Sequence, residues 1–195
     1  MFNADSISNV VSVVPNTARR NALRITAVCT FVALTALATL VRIPLPGTPV
    51  PATLQTLVVI LAGILLGGRL ATVSMAAYLT LGMTGYLLFA ATGGSTLGYL
   101  AGFVLAQPVI AALARPSASS GTQLARLVAA VLAGHAVIFA CGLAWLWIWS
   151  GQSFGTVIAL GFLPFAGVDL ALKSAAAVTI GSLAMTRSRR ALDVE

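Results

Sequence analysis

Six apolar segments follow one another along the chain, and each is long enough, or nearly long enough, to cross a lipid bilayer as a helix. They cover residues 22–41, 53–67, 70–90, 97–113, 124–149 and 165–185. About 20 apolar residues in a helix cross a hydrocarbon core about 30 Å thick. Only 8% of the residues are charged, whereas soluble domains contain about 25%. The sequence therefore predicts an all-α integral membrane protein with six transmembrane helices.

The arginines are distributed unevenly between the ends of these segments. They lie before or at the start of the first segment, after the sixth, in the intervening turns as Arg69 and Arg115, and at the start of the fifth segment as Arg126. The alternate loops contain only Arg42. Because cytoplasmic loops are enriched in arginine and lysine, both termini of this multi-pass membrane protein are predicted to be cytoplasmic. The same pattern accounts for the net charge of +7, so nucleic-acid binding is not expected.

Three parts of the chain are distinguished by composition. Residues 1–18 are predicted to be a partly flexible or interfacial N-terminal lead-in, residues 19–188 a six-helix membrane domain, and residues 189–195 a C-terminal tail. A cleavable signal peptide is an alternative for the first segment, because Ala36-Leu37-Ala38 resembles a cleavage site. The apolar run is longer than a typical signal core, which favours a transmembrane helix.

The loop at residues 42–51, between the first two segments, contains four of the eight prolines. Proline fixes the backbone and removes amide donors, so this loop is predicted to be extended and stiff. It is either a rigid connector between two helices or a lid over a cavity on that side of the membrane.

One acid and one lysine lie inside the last apolar segment. Asp169 is the only acid in the apolar part of the chain, and Lys173 is the only lysine. Pro164 and Gly167 predict a helix start, and the four-residue spacing then places both charges on one helix face, in the outer half of the membrane. A charge near the middle of a membrane helix costs roughly 3 kcal/mol, so such residues face the protein interior. Either they form a structural ion pair, or Lys173 binds an anion and Asp169 accepts hydrogen bonds from a small solute.

Two further polar side chains interrupt apolar segments. Gln55 lies near the start of the second segment and is predicted either to bond another helix or to line a polar cavity. His135 lies in the middle of the fifth segment among small residues. An interhelical hydrogen bond and a role in proton relay or substrate contact are both consistent with its position.

Several kinds of catalytic site are absent from the sequence. It contains neither a Walker A phosphate-binding loop nor a His-Glu-x-x-His zinc motif. Cys29 and Cys141 lie within apolar segments without the spacing of metal ligands, and they are predicted to be buried small residues. The chain is therefore expected to be neither an ATPase nor a metalloenzyme, and no cofactor is predicted.

Several ordered motifs between about residue 22 and residue 180 together resemble the BioY family, the biotin-capturing S components of energy-coupling-factor (ECF) transporters. The motifs are Pro49-Val50-Pro51-Ala52-Thr53-Leu54-Gln55-Thr56-Leu57, Leu61-Ala62-Gly63, Gly93-Gly94, Gly98-Tyr99-Leu100-Ala101-Gly102-Phe103, and Pro164-Phe165 followed by Asp169 and Lys173. Two details depart from the family pattern. Asp169 precedes Lys173 by four residues, whereas the family has three. The family often reads Gly-Pro-Thr-Gly-Gly-Tyr where this chain has Gly94-Ser95-Thr96-Leu97-Gly98-Tyr99.

The resemblance implies an outward-facing biotin pocket covered by the loop between the first two helices. It also implies coupling to a transmembrane protein and two cytoplasmic ATPases. Asp169 and Lys173 then contribute to the biotin site. The other predicted substrate-binding residues are Thr53, Gln55, Tyr86, Gly93, Gly94 and Tyr99. Biotin offers a carboxylate for Lys173, ureido N–H donors for Asp169 or Gln55, and an apolar body for the tyrosines.

The predicted function is that of a high-affinity biotin-binding membrane subunit that mediates biotin uptake. A capture subunit for another vitamin, such as thiamine or riboflavin, is the alternative. A membrane enzyme using Asp169 as a general acid or base lacks a second acid at membrane depth. A purely structural assembly subunit predicts no saturable ligand binding.

Small residues on the first segment form a candidate surface for the coupling protein. They are Thr26, Cys29, Thr30, Ala33 and Ala36. Small side chains allow close approach of another helix, which is either this partner or a helix of the same chain.

Overall fold

A computed structural model of the chain describes residues 16–43, 48, 52–84, 94–117 and 119–192, and the described part is almost entirely helical. The helices are α1 (Asn16–Ala38), α2 (Gln55–Met83), α3 (Leu97–Leu113), α4 (Ser120–Ser150), α5 (Phe154–Gly161), the single turn α6 (Leu163–Phe165), a π-helix (Ala166–Lys173) and α7 (Ser174–Leu192). The short strands β1 (Arg42–Ile43) and β2 (Ala52–Thr53) pair antiparallel. They join the two ends of the proline-rich loop, most of which lies outside the described residues.

Helix α2 folds back on itself at Gly67. Its backbone there has φ 75° and ψ 169°, which is not helical and which glycine adopts without steric cost. In a straight helix Gln55 and Tyr78 would lie about 35 Å apart, yet their side chains are hydrogen-bonded at 2.6 Å. The residues before and after Gly67 therefore form a helical hairpin, with its turn in the segment Gly67-Gly68-Arg69 that separates the second and third apolar segments.

Helices α3 and α4 pack closely because glycines replace side chains at their contact. A Cβ atom on Gly98 would collide with Trp145, and one on Gly142 would collide with the ring of Tyr99. The bounds of α3 coincide with the predicted fourth segment. Close packing of this kind is typical of membrane helices, which gain no hydrophobic driving force from association.

The last apolar segment differs from the prediction in two ways. Its helical run begins at Phe154, well before Pro164, because Ser153 caps α5 by accepting a hydrogen bond from the Thr156 amide. The helix then breaks at Phe162 and restarts, with Pro164 in the first turn of α6. Gly167 does not mark a start; it lies within the π-helix. The predicted helix start is therefore confirmed at Pro164, where the helix restarts, and wrong at Gly167. The helical turns at Phe154–Gly161 were not predicted.

The bundle exposes large apolar side chains and buries several polar ones, as is typical of a membrane protein. Large apolar side chains such as Leu172, Ile148 and Leu40 are about 70% exposed, while Gln107, His135 and Lys173 are buried. In the described residues, four helices are long and apolar enough to cross a membrane, judged by length and composition, and Leu97–Leu113 is a shorter apolar helix.

The cysteines differ from the prediction that both are buried. Cys29 is exposed on α1, and Cys141 is half-buried on α4. Thr26, Thr30 and Ala33 are exposed on the same helix as Cys29.

Candidate functional site

Asp169 and Lys173 form a salt bridge inside the bundle. The relative exposure of the two residues is 4% and 3%, so neither faces lipid. Buried charges are costly unless they are paired and hydrogen-bonded. The prediction that the two charges share one face and point inward is confirmed.

The ion pair lies in a π-helix, whose backbone amides bond five residues back instead of four. The π-helix extends from Ala166 to Lys173, so it contains both charged residues. Single π-turns inside α-helices occur frequently at functional sites. The sequence predicts an ordinary α-helix here, because the extra residue in the turn leaves no distinct compositional signal.

Lys173 also connects the π-helix to the base of the proline-rich loop. Its Nζ donates to the backbone carbonyl oxygen of Thr53 at 2.5 Å. Thr53 belongs to β2 and pairs with Arg42 of β1. The lysine thereby joins the last helical segment to the point at which the chain re-enters the bundle after the loop.

A chain of polar side chains extends from Thr53 toward α1. The Thr53 hydroxyl donates to Gln55 Oε1 at 3.0 Å, and Gln55 Nε2 donates to the hydroxyl of Tyr78 at 2.6 Å. The hydroxyl of Tyr78 is also 3.1 Å from the hydroxyl of Thr39. Of the two interpretations of Gln55, the structure bears out the hydrogen bond between helices. Thr39 was not predicted as a site residue, because a threonine hydroxyl in an apolar segment commonly bonds to its own helix, as it also does here at the Thr35 carbonyl. Tyr78 was not predicted either, because a tyrosine on a membrane helix commonly lies at the lipid headgroups.

A second polar contact supports the π-helix from its other side. The hydroxyl of Ser174 donates to the backbone carbonyl of Asp169 at 3.0 Å and lies 3.5 Å from His135 Nδ1. His135 Nδ1 is also 3.0 Å from the carbonyl oxygen of Val131. His135 is thus a buried hydrogen-bonding residue between α4 and α7, as one of its two interpretations predicts. Ser174 was missed, since a serine at the start of an alanine-rich stretch is not distinctive.

Aromatic side chains surround the break that precedes the π-helix. Tyr99 donates its hydroxyl to the carbonyl of Gly161 at 2.8 Å. Its ring meets Phe139 edge-on, and Phe139 in turn contacts Phe162 and Phe165. The break at Phe162 is therefore held against α3 and α4 by aromatic contacts and one buried hydrogen bond.

The other predicted binding residues are placed differently. Gly94 lies just before α3 and accepts a hydrogen bond from Trp145 Nε1 at 2.9 Å. Tyr86 and Gly93 lie outside the described residues. The structure thus connects Thr53 and Gln55 to the ion pair by hydrogen bonds. Tyr99 is bonded to Gly161, before the π-helix, and Gly94 is bonded to Trp145 near the end of α4.

Comparison with known proteins identifies relatives along most of the chain. The family model of the BioY family matches residues 11–190. A probable biotin transporter BioY from Lysinibacillus sphaericus is 34% identical over 187 residues, which cover 89% of this chain and 93% of the relative. A probable biotin transporter BioY from Pyrococcus horikoshii is 34% identical over 165 residues, covering 82% and 94%. The biotin transporter BioY of Thermotoga maritima is 36% identical over 147 residues, covering 72% and 83%.

A solved structure has a similar fold. It is the crystal structure of the S-component for biotin from an ECF-type ABC transporter, with a TM-score of 0.76 and 22% sequence identity. The alignment covers 89% of this chain and 95% of the solved chain. The family resemblance drawn from the ordered motifs is confirmed by the sequence matches: this multi-pass membrane protein belongs to the BioY family.

Proposed function

We propose that the chain is the biotin-capturing subunit of a biotin uptake system in a bacterial inner membrane. The relatives named above are biotin transporters or probable biotin transporters, which favours biotin over thiamine or riboflavin and transport over catalysis. The observation that carries the proposal is the buried pair of Asp169 and Lys173, bonded to Thr53 at the base of the loop. An anion and a hydrogen-bond donor on one solute complement these two charges.

The ion pair retains the capacity to bind a solute. Lysine has three N–H donors, and within the described residues two of them are directed at Asp169 and Thr53. A carboxylate has about four acceptor positions, so Asp169 can accept ureido N–H groups while it pairs with Lys173. In the proposed complex Lys173 binds the biotin carboxylate, Asp169 or Gln55 accepts the ureido donors, and Tyr99 contributes apolar surface. Tyr86, Gly93 and Gly94 remain proposed contacts.

The proposal includes six membrane crossings. Breaking α2 at Gly67 gives two antiparallel crossings, which with α1, α3, α4 and the run from Phe154 onward make six. Gln55 is twelve residues, or about 18 Å of helix, from the turn at Gly67. With the arginine-rich ends on the cytoplasmic side, both termini are cytoplasmic and the polar site opens outward. The three predicted parts, residues 1–18, 19–188 and 189–195, are retained in this scheme.

Energy for uptake comes from other proteins in this proposal. The sequence has no nucleotide-binding loop of its own, so a transmembrane coupling protein and two cytoplasmic ATPases supply it, as the resemblance to the BioY family implies. The solved chain of similar fold is the S-component of an ECF-type ABC transporter. The exposed residues Thr26, Cys29, Thr30 and Ala33 of α1 are the proposed contact with the coupling protein. Their small side chains permit close helix approach.

Direct binding of radiolabelled biotin to the detergent-purified chain tests the proposal. Saturable binding that unlabelled biotin displaces, and that excess thiamine or riboflavin leaves unchanged, is expected. Displacement by one of those vitamins would identify a different substrate. Absence of saturable binding to any of the three would contradict a capture subunit and favour a structural role.

A further inference from the structure

A cavity remote from the ion pair opens on the outside of the bundle, at its arginine-rich end. Its volume is about 740 Å³, and it lies between the second half of α2 and the end of α3. Its walls are formed by Gly67, Gly68, Arg69, Thr72, Val73, Pro108, Ala111, Ala112 and Arg115. Biotin capture as proposed above makes no use of this cavity.

One end of the cavity is positively charged. Arg69 and Arg115 line it, and Arg126 lies beside it because its guanidinium is 3.4 Å from the carbonyl oxygens of Arg115 and Pro116. In the described part of the chain, no acidic side chain lines this cavity. The two lining guanidiniums are therefore available to an external anion.

Apart from Thr72, whose hydroxyl bonds the Gly68 carbonyl of its own helix, the rest of the wall is glycine or apolar. Val73, Pro108 and Ala112 in the wall are exposed, and so are Leu105 and Leu113 on the same helix as Pro108 and Ala112. In a membrane protein, an outward-facing apolar surface that ends at arginines lies where the hydrocarbon core meets the lipid headgroups. A ligand that fits this cavity is anionic at one end and apolar at the other, and it approaches from within the bilayer.

We propose that this cavity binds an anionic phospholipid. The phosphate pairs with Arg69 and Arg115, since guanidinium forms bidentate hydrogen bonds with phosphate oxygens. The first part of an acyl chain lies along Val73, Pro108 and Ala112. Basic pockets between membrane helices recognise anionic headgroups by the same combination of charge and apolar contact. The inference goes beyond biotin capture and does not depend on it.

The test compares lipid affinities of the purified full chain and its variants in neutral detergent. Phosphatidylglycerol or phosphatidylcholine is titrated in, and binding is followed by the shift in melting temperature and by native mass spectrometry. The cavity variant is Arg69→Gln/Arg115→Gln. The matched control is Arg19→Gln/Arg24→Gln, which removes the same charge from exposed positions on α1. A third variant, Ala112→Phe, keeps both arginines and fills the exposed apolar wall.

The wild type and the α1 control are expected to bind phosphatidylglycerol in preference to phosphatidylcholine. The cavity variant is expected to bind phosphatidylglycerol roughly thirtyfold more weakly, which corresponds to the loss of two cations at a membrane surface. Ala112→Phe is expected to weaken binding as well. Equal losses in the cavity variant and the α1 control would overturn the proposal, because any surface charge would then suffice. Unchanged lipid binding with loss of copurification of the energising proteins would also overturn it, by identifying a protein-docking site.

Discussion

The side chain of Lys173 donates to the backbone carbonyl oxygen of Thr53 at 2.5 Å, across 120 residues of sequence. Thr53 follows the proline-rich loop, and Lys173 ends the π-helix. Thr53 pairs with Arg42, the first residue of the loop. The contact therefore joins the buried ion pair to the pair of short strands at which the loop begins and ends.

Replacing Lys173 tests the proposed site directly. Lys173→Met is expected to weaken biotin binding at least about thirtyfold, since removing one member of a buried charged contact costs about 2–5 kcal/mol. Leu172→Ala is the matched control, because Leu172 is the adjacent residue and is 69% exposed. Equilibrium binding of radiolabelled biotin measures both. Equal affinities for the two variants would contradict a contact between Lys173 and the ligand.

The ion pair makes a separate prediction about stability. Lys173→Met leaves Asp169 buried without its cation, so the free energy of unfolding is expected to fall by about 3–5 kcal/mol. In the double variant Asp169→Asn/Lys173→Met, no uncompensated charge remains and most of this loss is expected to be recovered. Thermal unfolding in detergent checks the stability, and biotin binding is measured in parallel. Recovery of stability without recovery of binding is expected; recovery of both would show that the charges serve only the fold.

Ser174 is expected to position the π-helix without contacting biotin. Ser174→Ala removes the hydroxyl that bonds the Asp169 carbonyl. One such hydrogen bond contributes about 0.5–1.5 kcal/mol to the geometry that binds the ligand, so biotin affinity is expected to fall by roughly two- to tenfold. Ser182→Ala is the control, since the Ser182 hydroxyl makes a similar bond to the Thr179 carbonyl farther along α7. The two variants are compared by biotin dissociation rate as well as affinity. A larger effect at Ser182 would contradict the positioning role.

The close contact between α3 and α4 predicts that a larger residue at Gly142 lowers the stability of the protein. Gly142→Ala places a methyl group against the ring of Tyr99, and overpacking of this kind costs about 1–3 kcal/mol. Gly155→Ala is the control, because its added Cβ has only the Ser153 hydroxyl nearby, at 4.0 Å. Melting temperatures in detergent give the comparison. A Gly142→Ala protein as stable as the Gly155→Ala protein would show that Tyr99 moves aside freely.

Hydropathy and charge alone predicted several features of the fold and of the candidate site. The apolar segments predicted a membrane protein, and Leu97–Leu113 was placed within its observed bounds. The inward-facing pair of Asp169 and Lys173 followed from the cost of placing a charge in lipid. Where local signals were weak, the predictions failed: the helical turns from Phe154 were not predicted, Gly167 lies within the π-helix, and Cys29 is exposed.

The sequence by itself determined that the chain enters a membrane, that it turns at Gly67-Gly68-Arg69, and which charged residues must avoid lipid. These depend on composition and on spacing within one stretch of the chain. Only the tertiary structure decided which groups meet those charges. The carbonyl of Thr53, the hydroxyl of Tyr78 and the hydroxyl of Ser174 acquire their partners through contacts between separate elements or through the π-turn. A backbone carbonyl is present at every residue, so its role is set by folding and leaves no mark in the sequence.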